Sequence, residues 1–293
     1  MEKVVEARPG KLLADRPELH LELVADTPWL GAAHGTLGSG GPLPPPHVHR
    51  EHADCFLVLE GGLRLLLADG EREVQDGAWV QVPAGVVHTF APVGRLRMLN
   101  VHTPASGYSG YIQRLASAAG PEDVYKAREG FDLHDPPEEG GVDPATAVAV
   151  QLGGGSGETI TNRPGRRATL LADTTEVTAT EFAYGPGEQG PDAHVHHHHA
   201  DAFVVLEGVL LLTVAGAPLH AAAGTVVVVP PLVAHSYTNE GADAAVRFLN
   251  LHAPSCGFGD YLRGRNPDFD QHDPPPDGGA DAASAVVTRL TIS

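Results

Sequence analysis

The chain has 293 residues, 42% of them hydrophobic and 19% charged, which is enough apolar material for two cores of ordinary domain size. Its formal net charge is −18 at pH 7, from 37 Asp and Glu against 19 Lys and Arg, so phosphate backbones and anionic lipid would repel it, and nucleic acid and membrane drop out as partners. The opening residues MEKVVEARPGKLLADRPELH hold no long apolar core and no window approaches a membrane span, which leads to the expectation of a cytoplasmic protein.

Along the chain, the first stretch rich in chemistry is PPPHVHREHADCFLVLEG, Pro44 to Gly61. His47 and His49 stand two apart, the spacing that puts both side chains on one face of a strand, and Asp54 opens the apolar run that follows. That run and GAWVQVPAGVVH (Gly77 to His88) read as short strands broken by Gly and Pro, with His88 at the start of a strand that could face the first pair. In RMLNVHTPASGYSGY, Arg97 to Tyr111, Asn100 and His102 share a face of a late strand. If that face is interior, His102 is placed as a general base or to bind a substrate oxygen; a structural or surface role is expected here. A short helix is predicted over Gly110 to Ala119, and the Pro-rich segment with His134 and Asp135 is read as a loop anchor. The Gly-Ser stretch QLGGGSGE, Gln151 to Glu158, marks a boundary between domains 1–150 and 151–293.

Beyond that boundary the chain repeats itself. PDAHVHHHHADAFVVLEG (Pro191 to Gly208) packs five histidines into six positions, too far inside the chain for an affinity tag. His194, His196, His199, Asp201 and Gly208 fall 147 positions after His47, His49, His52, Asp54 and Gly61. His235 follows His88 by the same 147, while His252 follows His102 by 150 and the second FDxHDPP segment follows the first by 138, as loop insertions would produce. A second short helix is predicted over Gly259 to Arg265. His52 and His199 are read as members of a solvated turn, and His197 and His198 as exposed. Cys55 and Cys256 do not occupy equivalent positions, so they form neither a duplicated redox pair nor a disulfide framework.

Each unit is expected to be all-β. The pattern resembles the cupins, and among them the bicupins with two such domains in tandem: Gly41, His47, His49, Asp54 and Gly61 follow their first motif, as do Gly187, His194, His196, Asp201 and Gly208. Gly77, Pro83, Gly85 and His88 follow the second motif, with Pro92 where Asn is usual; Gly224, Pro230, His235 and Asn239 follow it in the second copy, with Leu232 in place of a Gly. Asp replaces the usual Glu in both copies. The resemblance implies two jelly-roll (double-stranded β-helix) barrels, each followed by a short helix.

Three imidazoles and a carboxylate converging on one point suit a divalent Fe, Mn, Ni, Cu or Zn, one per domain, held by His47, His49, Asp54 and His88 and by His194, His196, Asp201 and His235. Asp54 and Asp201, one methylene shorter than Glu, are candidates for direct ligand, for outer partner of a ligand histidine, or for base. With His102 and His252 they are the candidate catalytic residues. The resemblance implies a metal-dependent enzyme acting on a small organic molecule, a quercetinase-like dioxygenase on an enol- or phenol-type substrate. The alternatives are a metal-dependent isomerase, epimerase or cyclase, and a non-catalytic small-molecule or metal-binding protein. The 2 Trp, 6 Tyr and 8 Phe leave little for an aromatic pocket, which disfavours a large flavonoid. A monomer and a homodimer are both compatible with a fused repeat.

Overall fold

A computed structural model describes residues 6–39, 44–138, 141–153, 156–276 and 278–291. Gly41 of the first motif lies outside them. The chain divides into two compact units: one holds Gly10–Ser156, the other Met1–Pro9 together with Gly157–Ser293. One boundary falls within the Gly-Ser stretch, and Arg8 and Pro9 belong with the later unit through their pairing with Thr288 and Arg289.

In the unit of Gly10–Ser156 the strands are β2 (Lys11–Arg16), β3 (Leu19–Asp26), β4 (Gly31–Leu37), β5 (Ala53–Leu67), β6 (Gly70–Gln75), β7 (Ala78–Val82), β8 (His88–Thr103) and β9 (Val148–Gln151); β1 (Arg8–Pro9) lies in the other unit. The sheet runs β2-β3-β4-β8-β5-β7-β9, with β6 hydrogen-bonded to β5. β5 and β8, of 15 and 16 residues, pair along most of their length across bulges at Val58/Glu60 and Glu60/Gly62, so one strand serves two parts of the jelly roll. Gly61 makes that bend possible: its φ is +79°, and a Cβ there would stand 1.9 Å from the Arg95 carbonyl oxygen. Two helices, α1 (Tyr108–Ser117) and α2 (Pro121–Ala127), follow β8. The first was expected within two residues. The second was not: its signals, Pro at the start, Glu122 and Asp123 in the first turn and Lys126 in the last, are spread over only seven residues.

The other unit is built from β10 (Glu158–Arg163), β11 (Arg166–Asp173), β12 (Thr178–Tyr184), β13 (Ala200–Glu207), β14 (Val209–Val214), β15 (Ala217–Ala222), β16 (Thr225–Val229), β17 (His235–Thr238), β18 (Val246–Ala253) and β19 (Val286–Arg289), with α3 (Phe258–Leu262) after β18. Its sheets run β1-β19-β16-β13-β18-β12-β11-β10 and β15-β14-β17. Where the first unit has the continuous β8, this one breaks into β17 and β18. Asn239 explains the break: its Nδ2 donates to the carbonyls of Tyr184, Gly185 and Ala244, and its Oδ1 accepts from Gly241 N–H, clamping the intervening loop. Pro92, at the matching place, cannot do this, and β8 runs through it. β7 (AWVQV) and β16 (TVVVV) are buried at every position, as strands covered on both faces require.

Candidate metal centres

His47 and His49 lie outside the long strands on a short extended segment that is held at three points. His47 and His88 exchange backbone hydrogen bonds of 2.9 Å, Val48 and His134 exchange bonds of 3.0 Å, and Gly85 N–H donates to the His49 carbonyl at 2.6 Å. Hence the Pro-rich segment anchors the histidine pair through the His134 backbone. His194/His235, Val195/His272 and Leu232 N–H to the His196 carbonyl repeat the arrangement. Leu232 occupies the place of Gly85 with φ +66°, a left-handed conformation that a Cβ disfavours.

The imidazoles are oriented by their Nδ1 atoms. His47 Nδ1–H donates to the Pro45 carbonyl (2.8 Å), that of His49 to the Asp132 carbonyl (2.6 Å) and that of His88 to the Val86 carbonyl (3.0 Å). In the second unit the acceptors are the carbonyls of Asp192 (2.8 Å), Asp270 (2.5 Å) and Val233 (3.0 Å). A carbonyl only accepts, so every one of these rings is the Nδ1–H tautomer, with a bare Nε2 lone pair. Asp54 Oδ2 lies 3.3 Å from His88 Nε2 and 3.7 Å from His49 Nε2; Asp201 Oδ2 lies 3.3 Å from His235 Nε2 and 3.8 Å from His196 Nε2. All eight residues are buried, and the donor atoms of each set lie within 4.8 Å of one another. Ligands at roughly 2.0–2.2 Å from one ion sit about 3.0–3.6 Å apart, close to this spacing. His49 Nε2 and His196 Nε2 are buried with no hydrogen-bond partner among the described residues, which a coordinated cation would satisfy. The donor set therefore fits a divalent transition metal in each unit.

The carboxylates are positioned just as firmly. Asn100 Nδ2 donates to Asp54 Oδ1 at 2.6 Å, and Asn250 Nδ2 donates to Asp201 Oδ1, which leaves one oxygen of each turned to the histidines. Burial alone would raise the Asp54 pKa, but His102, His49 and His88 overcome it and hold the carboxyl well below its usual range; Asp201 is held low in the same way, with His252 the chief partner. Burial lowers the pKa of His47 and His194 to about 3, reinforced by the neighbouring histidines.

The face carrying Asn100 and His102 is interior. His102 is 3% exposed and stacks on Tyr108 at 4.0 Å, and His252 stacks on Phe258 at 3.5 Å, so of the expected structural or surface role the surface one falls away, and both rings stand beside the carboxylates. His52 and His199 require a second correction: instead of standing in a solvated turn, both are 0% exposed. His52 Nδ1–H donates to Asp132 Oδ2 (2.9 Å) and its Nε2 shares a hydrogen bond with His102 Nδ1 (2.9 Å), while His102 Nε2 donates to Asn100 Oδ1 (3.1 Å) and lies 3.4 Å from Asp54 Oδ1. Asp270, His199 and His252 repeat the chain at 3.0 and 2.9 Å. Burial lowers the pKa of His52 and His199 to about 4 and that of His102 and His252 well below the ordinary value. His197 and His198 are exposed, as expected, and lend only their backbone N–H groups to Asp270.

Asp132 and Asp270 escaped the sequence reading. Each carboxylate accepts from two backbone N–H groups of the turn before the ligand strand, from the buried histidine and from His134 or His272, while its own carbonyl orients a ligand histidine. The signal was the repeated Phe-Asp of FDLHDPP and FDQHDPP, overshadowed by the His-Asp pair after it.

The two units differ in what leads to the donor set. In the first, a cavity of about 420 Å³ ends on His47, His49, Asp54 and His102. Its walls are mainly apolar and include Phe90, Tyr108, Tyr111 and Phe131, so four rings stand where a ligand would sit. In the second unit the positions that match this wall carry Phe182, Tyr184, Tyr237 and Phe248, which pack against one another. No helix among them is long and apolar enough to cross a membrane.

The cupin domain family matches residues 33–102 and 180–252, one copy in each unit. Quercetin 2,3-dioxygenase from Bacillus subtilis (strain 168), a curated relative, is 25% identical over 236 residues, covering 68% of this chain and 67% of its own. Among solved structures, a variant of oxalate decarboxylase from Bacillus subtilis superposes with a TM-score of 0.55 at 15% identity over 87% of this chain and 79% of its own, and the coconut allergen cocosin with 0.57 at 12% over 87% and 86%. Both structural likenesses speak to the fold alone. The duplicated domains, the jelly-roll sheets and the paired His/Asp sets together place the chain in the cupin superfamily, as a bicupin.

Proposed function

We propose that this bicupin is a metal-dependent dioxygenase that acts on a small enol- or phenol-type molecule. The observation that carries the reading is the apolar cavity ending on His47, His49 and Asp54 of the first unit's donor set. The similarity to quercetin 2,3-dioxygenase supports the reaction class. His47, His49, His88 and Asp54 would hold the ion, which when bound supplies Lewis-acid and redox chemistry. The cavity walls exclude water and seat an apolar ring against the histidines. Asp54, ionised and pinned by Asn100, faces the cavity and is placed to take and hold the proton of an enolic hydroxyl; His102, whose Nε2 lies 3.1 Å from Asn100 Oδ1 and 3.4 Å from Asp54 Oδ1, steadies that carboxylate.

The test is elemental analysis of untagged protein coupled to oxygen uptake across a panel of enolic and catecholic compounds. Iron, nickel, manganese or copper near two per chain with substrate-dependent oxygen consumption is the expected result. Zinc with no oxygen uptake would replace this reading with isomerisation or cyclisation, and absence of any metal would overturn the donor set. Within the dioxygenase reading, His102→Ala keeps both metals and lowers kcat.

A further inference from the structure

The two copies carry the same donors but differ in the space beside them, and four matched positions account for the difference. Strand pairing fixes the match: Gly31 opposes His102 and Gly35 opposes Met98 on β4 and β8, while Thr178 opposes His252 and Phe182 opposes Phe248 on β12 and β18. Gly35, Leu37, Phe90 and Met98 border the first cavity. Their counterparts Phe182, Tyr184, Tyr237 and Phe248 form a block of rings: Phe182 stacks on Phe248 at 5.4 Å, and Tyr184 and Tyr237 meet Phe248 edge-on at 5.3 and 5.6 Å. Phe248 is 0% exposed. The bulk of Phe182 replaces a bare backbone, and that of Phe248 a flexible thioether.

A second difference points the same way. Between Tyr111 and Phe131 the first copy has 12 more residues than the second has between Tyr261 and Phe269, and this extra segment contains α2. Val124 and Arg128 from α2 and its end line the cavity. The first copy has therefore gained wall where the second has gained filling.

We infer that substrate enters only the first unit and that the second donor set holds a metal ion closed to substrate, with Gly35 opposite Met98 as the pair that determines access. This rests on the metal-dependent reading above and adds a division of labour to it. A side chain at Gly35 is sterically admissible at its root, since a Cβ there meets only Leu21 Cδ1 at 3.7 Å and the His20 carbonyl at 3.9 Å; its ring would project into the cavity, as that of Phe182 fills the second unit.

The experiment loads the full chain with cobalt(II), counts cobalt by elemental analysis, and titrates 4-nitrocatechol, whose visible absorption shifts on coordination to a metal. The expected result is two cobalt ions but one nitrocatechol per chain, with the nitrocatechol signal lost and cobalt unchanged in Gly35→Phe. Met98→Phe, which installs the second unit's own residue, is the companion variant should Gly35→Phe fail to fold, and it weakens nitrocatechol binding without loss of cobalt. Two nitrocatechols per chain, or undiminished binding in folded variants that retain both cobalt ions, would sink the inference and leave the metal reading standing. A chain that takes up no cobalt would sink both.

Discussion

Single residues divide the work at each donor set between those that meet the centre and those that aim them. His49 Nε2 has no hydrogen-bond partner among the described residues, so His49→Ala is expected to lower the metal content from two ions per chain to one, measured by elemental analysis. Asp132 makes no contact with the centre but accepts from two backbone amides and two histidines. Asp132→Ala strands the buried His52 Nδ1–H and frees the turn, and is expected to cost about 3 kcal/mol in urea unfolding. Leu232→Gly works in the other direction. Relief of a left-handed Leu, about 1–2 kcal/mol, outweighs the extra freedom of Gly in the unfolded chain, about 0.5–1 kcal/mol, so the same measurement is expected to show a gain of about 0.5–1 kcal/mol. The ligand candidates were legible because their spacing recurs in two copies. The burial of His52 and His199 was not, because a turn rich in His, Arg and Glu has the composition of a solvated loop, and only the folded position of Asp132 and Asp270 supplies the partners that make burial tolerable.

Secondary elements show where local pattern suffices and where it fails. The strands could be read because Gly and Pro punctuate Val- and Leu-rich runs, and α1 because it follows the last strand of the duplicated core. α2 is too short to show a period, and the lengths of β5 and β8 depend on bulges that tertiary pairing dictates. Which face of β8 lies inside was undecidable from MLNVH alone, since polar residues at 100 and 102 fit a wet face as well as a buried polar network. Asn239 illustrates an element held by one side chain. Removal of its amide in Asn239→Ala leaves three carbonyls and one N–H to find other partners and is expected to cost about 1–2 kcal/mol, read as a lower melting temperature.

For the whole molecule, the neutral buried histidines set the acid limit of the metal-free protein. His52 and His199, with pKa values of about 4, and His47 and His194, at about 3, titrate near 6.5 once unfolded. Between those values the unfolded chain binds protons that the folded chain does not. Their contribution to stability is therefore complete above about pH 6.5 and declines as the pH falls toward 4; Asp54 and Asp201, held low, contribute above about pH 3.9 and lose that contribution only under more acid conditions. Urea unfolding of metal-free protein between pH 7 and pH 4.5 is expected to show a steady fall in midpoint. Metal that binds only the folded donor set raises the melting temperature at pH 7, and chelation reverses the shift.

Arg8 and Pro9 pair in parallel with Thr288 and Arg289, so the second unit is closed by residues that lie 280 positions apart in the chain. During synthesis Arg8 and Pro9 are made long before β19 and have no strand to join until it has left the ribosome, whereas everything from Gly10 to Ser156 can be complete by then. The order of folding thus differs between the units: the first jelly roll matures as it emerges, and the second waits for β19. A gene cut at the Gly-Ser stretch would give an early half that carries a surplus strand and a late half that lacks one.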